Sequence, residues 1–407
     1  MTHRRVAVTG IGVLCSIGTD FASFSSAVLA GKIGTIRLPE AMSARLQTKI
    51  ACAMPDFDAT AHFTTKQLIQ LDRAAQFALV AAREALKQAG LEPQIADSGI
   101  DPTRVACVLG AAIGHGTFDE TYASFYGAKS DRVQPLTLAR VMPSAAASHV
   151  AMAHGLKGPV FATATACASA NHAIGQAFHM VRSGQADLAL TGGGDASLWT
   201  GVLKTWEALR VLSPDGCRPF SADRNGLVLG EGGAILVLEP MEHARARGAT
   251  VLAEMVGFGM SADAGDLTAP DLDGASRAME GALADAGIDG GAVGYVNAHG
   301  TGTKLNDKTE TAALRRVLGS HLQDVPVSST KSMVGHAVTA GGALELAATI
   351  AGFRAGLVPP TAGYRLADPE CDIDVVPQAG RTMAAEYAIS NAFAFGGLNA
   401  TLVVRRM

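Results

Sequence analysis

Short β-branched runs alternate with alanine-rich stretches of helical spacing along the whole chain, and that alternation narrows the possible folds more than any other feature. The runs RVAVTGIGV, RVACVLGAAIG, LALTGGGDA, AILVLE, VGYVNAHGTG, VPVSST and ATLVV read as buried strands. Between them, the segment from Thr64 to Gly90 places apolar residues at helical spacing and stops at a glycine. GASRAMEGALADAG behaves likewise. Strands buried on both faces need helices above and below them, so the chain reads as an α/β protein. No linker rich in Pro, Gly or Ser divides it. Two halves are expected, 1–250 and 251–407, with a new strand opening near Val251 after LVLEPMEHARARGAT.

Composition removes several functions. The 407 residues carry a formal net charge of -4 and no dense Lys/Arg run, which argues against a nucleic-acid partner. Cysteines 15, 52, 107, 167, 217 and 371 form no CxxC pair and no metal-ligand spacing. They fit reduced thiols in the cytoplasm, with neither a disulfide framework nor a bound metal. The start, MTHRRVAVTGIGVL, is a short β-branched run broken by Gly10 and Gly12, hence a first strand rather than a signal peptide. From Gly158 to Val181 no residue is formally charged. Asn171, His172, Gln176 and His179 lie inside that stretch, so no integral membrane segment is expected. VTGIGVL and TGGGDA lack the GxGxxG pattern of a dinucleotide site.

The segment GPVFATATACASANHAIGQAF carries the strongest chemical signal. FATATA is strand-like and the helical pattern starts at Cys167, which places a thiol on a strand-to-helix turn. Helical N–H groups there are expected to stabilise a thiolate and lower its pKa. Small neighbours (Ala166, Ala168, Ser169 and Ala170) leave room for a bulky acyl group. The second half supplies partners. His299 in NAHGTGTKLND and His336 in STKSMVGHAVTAGGALE each follow a strand beside glycines. Neutral imidazoles so placed can donate to a developing enolate oxygen or exchange a proton. Lys331 is a candidate for holding a carboxylate network or for tuning His336, with Glu345 as its acidic partner, and the Thr301 and Thr303 hydroxyls are candidates for binding a polar tether. His172, about a turn and a half beyond Cys167, is not expected to be the base. His115, in a Gly-rich loop, is a weaker candidate for lining the site.

Taken together, TATACASANHAIG, NAHGTGTKLND, STKSMVGHAVTAGGALE and NAFAFGGLNA resemble the β-ketoacyl-acyl-carrier-protein synthases of the elongating, Cys-His-His class. CASANHAI, LKTWEALRVLSPDGCRPFSADRNGLVLGEG and VPPTAGYRLADPECDID are similar to its nodulation protein E-like branch. The resemblance implies a thiolase fold, a five-layer αβαβα sandwich of two similar halves, normally a homodimer. It implies that Cys167 takes an acyl chain from acyl carrier protein, and that His299 and His336 promote decarboxylation of malonyl-carrier protein. The N–H groups of Cys167 and Phe395 would form an oxyanion hole, and the Phe395 ring would gate malonyl entry. Lys331 and Glu345 match the supporting pair, and Thr301 and Thr303 the phosphopantetheine contacts. Ile113 would stand at the acyl-pocket gate, with Phe393 and Gly396 also at the substrate. No cofactor is implied beyond the carrier's phosphopantetheine. The loop SADAGDLT departs from the family in having Gly265 and Asp266 where a histidine is frequent, and Ala168 replaces a frequent Thr. A ketosynthase subunit paired with a chain-length-factor paralogue is the alternative, and a non-catalytic chain-length subunit is disfavoured by the intact Cys-His-His set.

Overall fold

The computed structural model describes residues 3–92, 95–128 and 130–407. Ten strands dominate it: β1 (Val6–Cys15), β2 (Val105–Gly110), β3 (Val160–Thr163), β4 (Leu188–Asp195), β5 (Gly232–Pro240), β6 (Ala253–Ala262), β7 (Val293–Asn297), β8 (Val327–Ser328), β9 (Tyr387–Ala394) and β10 (Leu398–Arg405). The first five follow one another in space as β1-β5-β4-β2-β3, and the last five as β6-β10-β9-β7-β8. Adding five to each number of the first series gives the second. The senses agree as well: β1–β5 and β6–β10 are antiparallel, while β2–β3 and β7–β8 are parallel. The two sheets touch where Val6, Ala7 and Val8 pair with Met255, Glu254 and Ala253.

Helices repeat on the same plan. Eight of them are, in chain order, α1 (Arg73–Gln88), α2 (His115–Tyr122), α3 (Ala145–His154), α4 (Ser169–Arg182), α5 (Thr200–Ala208), α6 (Leu272–Ala286), α7 (Lys304–Leu318) and α8 (Gly341–Ala355), of which α1, α3 and α4 correspond to α6, α7 and α8. Helices α1 and α3 cover the outer face of the first sheet, and α6 and α7 that of the second. Between the sheets lie α4 and α8, packed on each other and on strands of both. The result is the five-layer αβαβα sandwich of the thiolase fold. Being covered all round explains the run GGALELAATIAGF in α8, in which every residue from Gly341 to Phe353 is buried, Glu345 included. Among the described residues no helix is long and apolar enough to cross a membrane.

Glycines set the outer helix–sheet spacing. A Cβ on Gly12 of β1 would stand 1.9 Å from the Ala81 carbonyl oxygen of α1, and one on Gly259 of β6 would stand 2.2 Å from that of Ala278 in α6. The same close approach is thus made twice. The helix expected over Thr64–Gly90 is interrupted: a short turn Thr65–Leu68 precedes α1, which starts afresh at Asp72. The Asp72 carboxylate accepts the Ala74 N–H and the Thr117 hydroxyl, so a buried cap breaks a continuous apolar pattern.

Candidate active site

Both inner helices are entered by the same turn. Ala166–Ala168 forms a 3₁₀ turn before α4, and Val338–Ala340 forms one before α8. The first residue of each is left-handed, φ +47° at Ala166 and +31° at Val338, a strained conformation for residues bearing a Cβ. Cys167 and Thr339 therefore occupy equivalent places in the two halves. The Ser169 hydroxyl donates to the Ala166 carbonyl at 2.7 Å and accepts the Thr165 N–H at 2.9 Å, pinning the turn that presents Cys167. The Thr339 hydroxyl is spent differently, donating to the buried Asp195 carboxylate at 2.8 Å.

Burial pushes the Cys167 thiol up to about 12; the Lys331 charge and the N–H groups of Cys167 and Phe395 pull the other way, and Asp195 adds to the rise. The thiolate expected from the helix N-terminus is overturned for the resting protein, because desolvating the sulfur outweighs the local dipoles. Two imidazoles face the same space. His299 and His336 meet edge to face, with centroids 5.5 Å apart and planes at 84°. Burial holds both well below the ordinary histidine range, and the Lys331 charge lowers them further, so both are neutral near pH 7. Lys331 is itself buried and donates to Nδ1 of His299 at 3.3 Å while pairing with Glu345. An ammonium has no lone pair, so His299 accepts at Nδ1 and keeps its proton on Nε2. Lys331 thus holds the expected carboxylate and tunes His336 through its charge, and it adds a direct contact with His299.

Cys167, His299 and His336 line one cavity of about 280 Å³, together with Thr301, Thr303, Phe393 and Phe395. The Thr301 and Thr303 hydroxyls lie 2.9 Å apart on its wall. Phe393 tilts against His299 with ring centroids 6.0 Å apart. Two expected contacts do not fall on this cavity. Ile113 is 44% exposed in the loop between β2 and α2, and Gly396 is exposed while Gly397 lines the wall instead. His115 also lies outside it, and His172 is occupied with the Ala168 carbonyl and the Thr165 hydroxyl.

Three further features enter the site. Glu310 accepts the N–H groups of His299 and Gly300, each at 2.8 Å, and so fixes the histidine's backbone. Burial pushes its carboxyl up to about 7 against those hydrogen bonds. The signal for it was present in NDKTE, where Asp307 and Glu310 share one face of α7 directly after the Gly/Thr loop. Asp307 likewise accepts the Gly302 N–H, at 3.2 Å. Leu267, Thr268, Ala269 and Pro270 form one wall, and the Leu267 carbonyl accepts the Gly396 N–H at 2.7 Å. Asp266 in that loop caps Thr268 and Ala269. Trp206 also lines the cavity.

A buried thiol at a helix N-terminus, two neutral imidazoles and a lysine–glutamate pair, set between the inner helices of a thiolase fold, define a condensing enzyme. Residues 3–244 match the β-ketoacyl synthase N-terminal domain and residues 252–365 its C-terminal domain. The chain belongs to the β-ketoacyl synthase family and is an acyltransferase of the condensing type. It is 45% identical to nodulation protein E of Rhizobium sp. (strain N33), over 99% of this chain and all of that one. It is 38% identical to 3-oxoacyl-[acyl-carrier-protein] synthase 2 of Staphylococcus aureus (strain N315), over 99% of each. Among solved structures, the ishigamide ketosynthase/chain length factor superposes over the whole of both chains with a TM-score of 0.94 and 34% identity.

Proposed function

We propose that Cys167 carries a fatty or polyene-type acyl chain and extends it by two carbons at the expense of malonyl-acyl carrier protein. The observation that supports this most is the single cavity shared by Cys167, His299 and His336. In the first step the sulfur attacks the acyl thioester carbonyl, a new C–S bond forms, and the carrier thiol leaves with the proton taken from Cys167. A neutral imidazole is a competent proton acceptor for a thiol that rests protonated. In the second step the malonyl carboxylate leaves as carbon dioxide, and its bonding pair becomes an enolate that accepts hydrogen bonds from His299 and His336. The enolate carbon then attacks the acyl carbon, the C–S bond breaks, and Cys167 leaves as a thiolate that takes up a proton from solvent to restore the thiol. The N–H groups of Cys167 and Phe395 serve the tetrahedral oxyanion. Thr301 and Thr303 serve the phosphopantetheine arm, and Phe395 the gate. In this division the half 1–250 supplies the nucleophile and 251–407 the imidazoles, with no cofactor of the enzyme's own.

Acyl carrier protein is the natural partner of that chemistry. A homodimer is favoured by the unpaired outer edge of β3, which carries the exposed Phe161, and by the exposed apolar side chains Tyr126 and Leu138. Pairing with a chain-length-factor paralogue is the second reading, supported by the likeness to a ketosynthase/chain length factor structure. The six free cysteines fit the cytoplasm. Intact-mass measurement after incubation with a panel of acyl-carrier-protein thioesters, followed by malonyl-carrier protein, tests the proposal. An adduct on Cys167 that chases to an elongated product is expected; a folded protein that takes no adduct from the whole panel refutes it. Co-purification with a paralogue from the native host separates the two dimers.

A further inference from the structure

Trp206 lies on α5, which carries none of the reacting groups. Its indole nevertheless stacks on Phe395, with ring centroids 6.0 Å apart and planes 28° from parallel, and both rings line the cavity of Cys167. The indole packs against a buried cluster containing Leu198, Leu203, Leu227 and Leu229, which makes it a fixed surface. Phe395 precedes a glycine turn in which Gly396 and Gly397 have φ +83° and +68°. Two backbone hydrogen bonds, Gly396 N–H to the Leu267 carbonyl and Asp263 N–H to the Gly397 carbonyl, tie that turn to the 263–267 loop, and the ring itself rests on side-chain contacts. The Phe395 amide is one of the two N–H groups at the sulfur. A ring packed against a fixed surface restrains the backbone of its own residue, and with it that amide.

We propose that Trp206 is a positioning residue, holding the Phe395 ring and through it the Phe395 amide at the sulfur of Cys167. This rests on the acyl-enzyme reading above and adds a residue distant in sequence from every reacting group. Removing the indole frees the ring to swing, and the oxyanion then loses a donor of fixed direction.

Tryptophan emission reads the stack directly. The chain has two tryptophans, and Trp199 packs instead on Gly116. In a Trp199→Phe protein, adding Phe395→Ala should shift Trp206 emission before any substrate is present. Acylation by octanoyl-N-acetylcysteamine should shift it in step with the mass adduct. Trp206→Phe keeps an aromatic face and should acylate within about twofold of the parent, whereas Trp206→Ala should be about tenfold slower in kcat with little change in KM. Equal rates for Trp206→Ala and Trp206→Phe, or an adduct without an emission response, overturn the proposal. A parent that shows the Phe395→Ala shift yet forms no adduct refutes the acyl-enzyme reading, and the positioning role falls with it. If Trp199→Phe does not fold, fluorotryptophan resonances in the unsubstituted chain, assigned with Trp206→Phe, supply the same readout.

Discussion

Nζ of Lys331 stands 3.3 Å from Nδ1 of His299 while the same ammonium pairs with the carboxylate of Glu345. One buried cation therefore sets the tautomer of an imidazole and neutralises an acid inside helix α8. Its loss should be felt in both roles.

Lys331→Met leaves Glu345 buried without its counter-charge, which should lower unfolding free energy by about 3–5 kcal/mol. Adding Glu345→Gln removes the orphaned charge and should recover most of that stability. Malonyl decarboxylation should stay depressed in both variants, because His299 has lost the donor that holds its tautomer. Urea unfolding and a carbon dioxide release assay check the two effects separately.

Glu310 gives a pH signature. Its folded carboxyl titrates at about 7, above its ordinary 4.5. Its protonated form is favoured by folding, so this contribution is complete below pH 4.5 and is lost as pH rises to 7. Glu310→Gln abolishes that loss. The variant should therefore gain on the parent by roughly 3 kcal/mol between pH 4.5 and pH 7. A difference between the two stability curves that stays flat over this window contradicts the buried, late-titrating carboxyl.

Alkylation reports on Cys167. A thiol raised to about 12 holds little thiolate at neutral pH. Its reaction with iodoacetamide should keep accelerating from pH 7 to pH 10 without a plateau. A plateau below pH 8 would mean that the helix N-terminus prevails over desolvation.

Ala166→Gly removes the Cβ from a left-handed residue and should raise stability by about 1 kcal/mol, net of the entropy glycine adds to the unfolded chain. The looser turn should also acylate more slowly. Differential scanning calorimetry and stopped acylation reactions measure the pair.

The proposed homodimer predicts that Leu138→Asp with Phe161→Asp, which charges two exposed apolar positions, lowers self-association. Sedimentation velocity of the parent and the variant checks this, the parent sedimenting as a dimer and the variant as a monomer.

Much of this was legible beforehand because it depends on local pattern. Cys167 sits where a β-branched run gives way to helical spacing, and His299 and His336 sit at strand ends beside glycines. Those signals need no knowledge of what packs where. The break at Asp72 is missed by the spacing, although an Asp before a helical run is a local capping signal, because the apolar pattern continues across it and its burial against Thr117 depends on the fold. The placement of Ile113 depends on what lies across β2. The protonation of Cys167 depends on total burial, a property of the whole fold and not of the turn. Trp206 and Glu310 were overlooked because each acts on a neighbour rather than on a substrate.

The equivalence of Cys167 and Thr339 has an evolutionary meaning. A doubled αβ unit presents two matching turns across an internal two-fold, and an ancestor made of two identical copies would have held two identical sites. In one chain each turn is free to differ from the other. One carries a sulfur, while the other, its hydroxyl tethered to Asp195, is part of the frame. A single asymmetric reaction centre thus stands on a symmetric scaffold, and neither half contains a complete one.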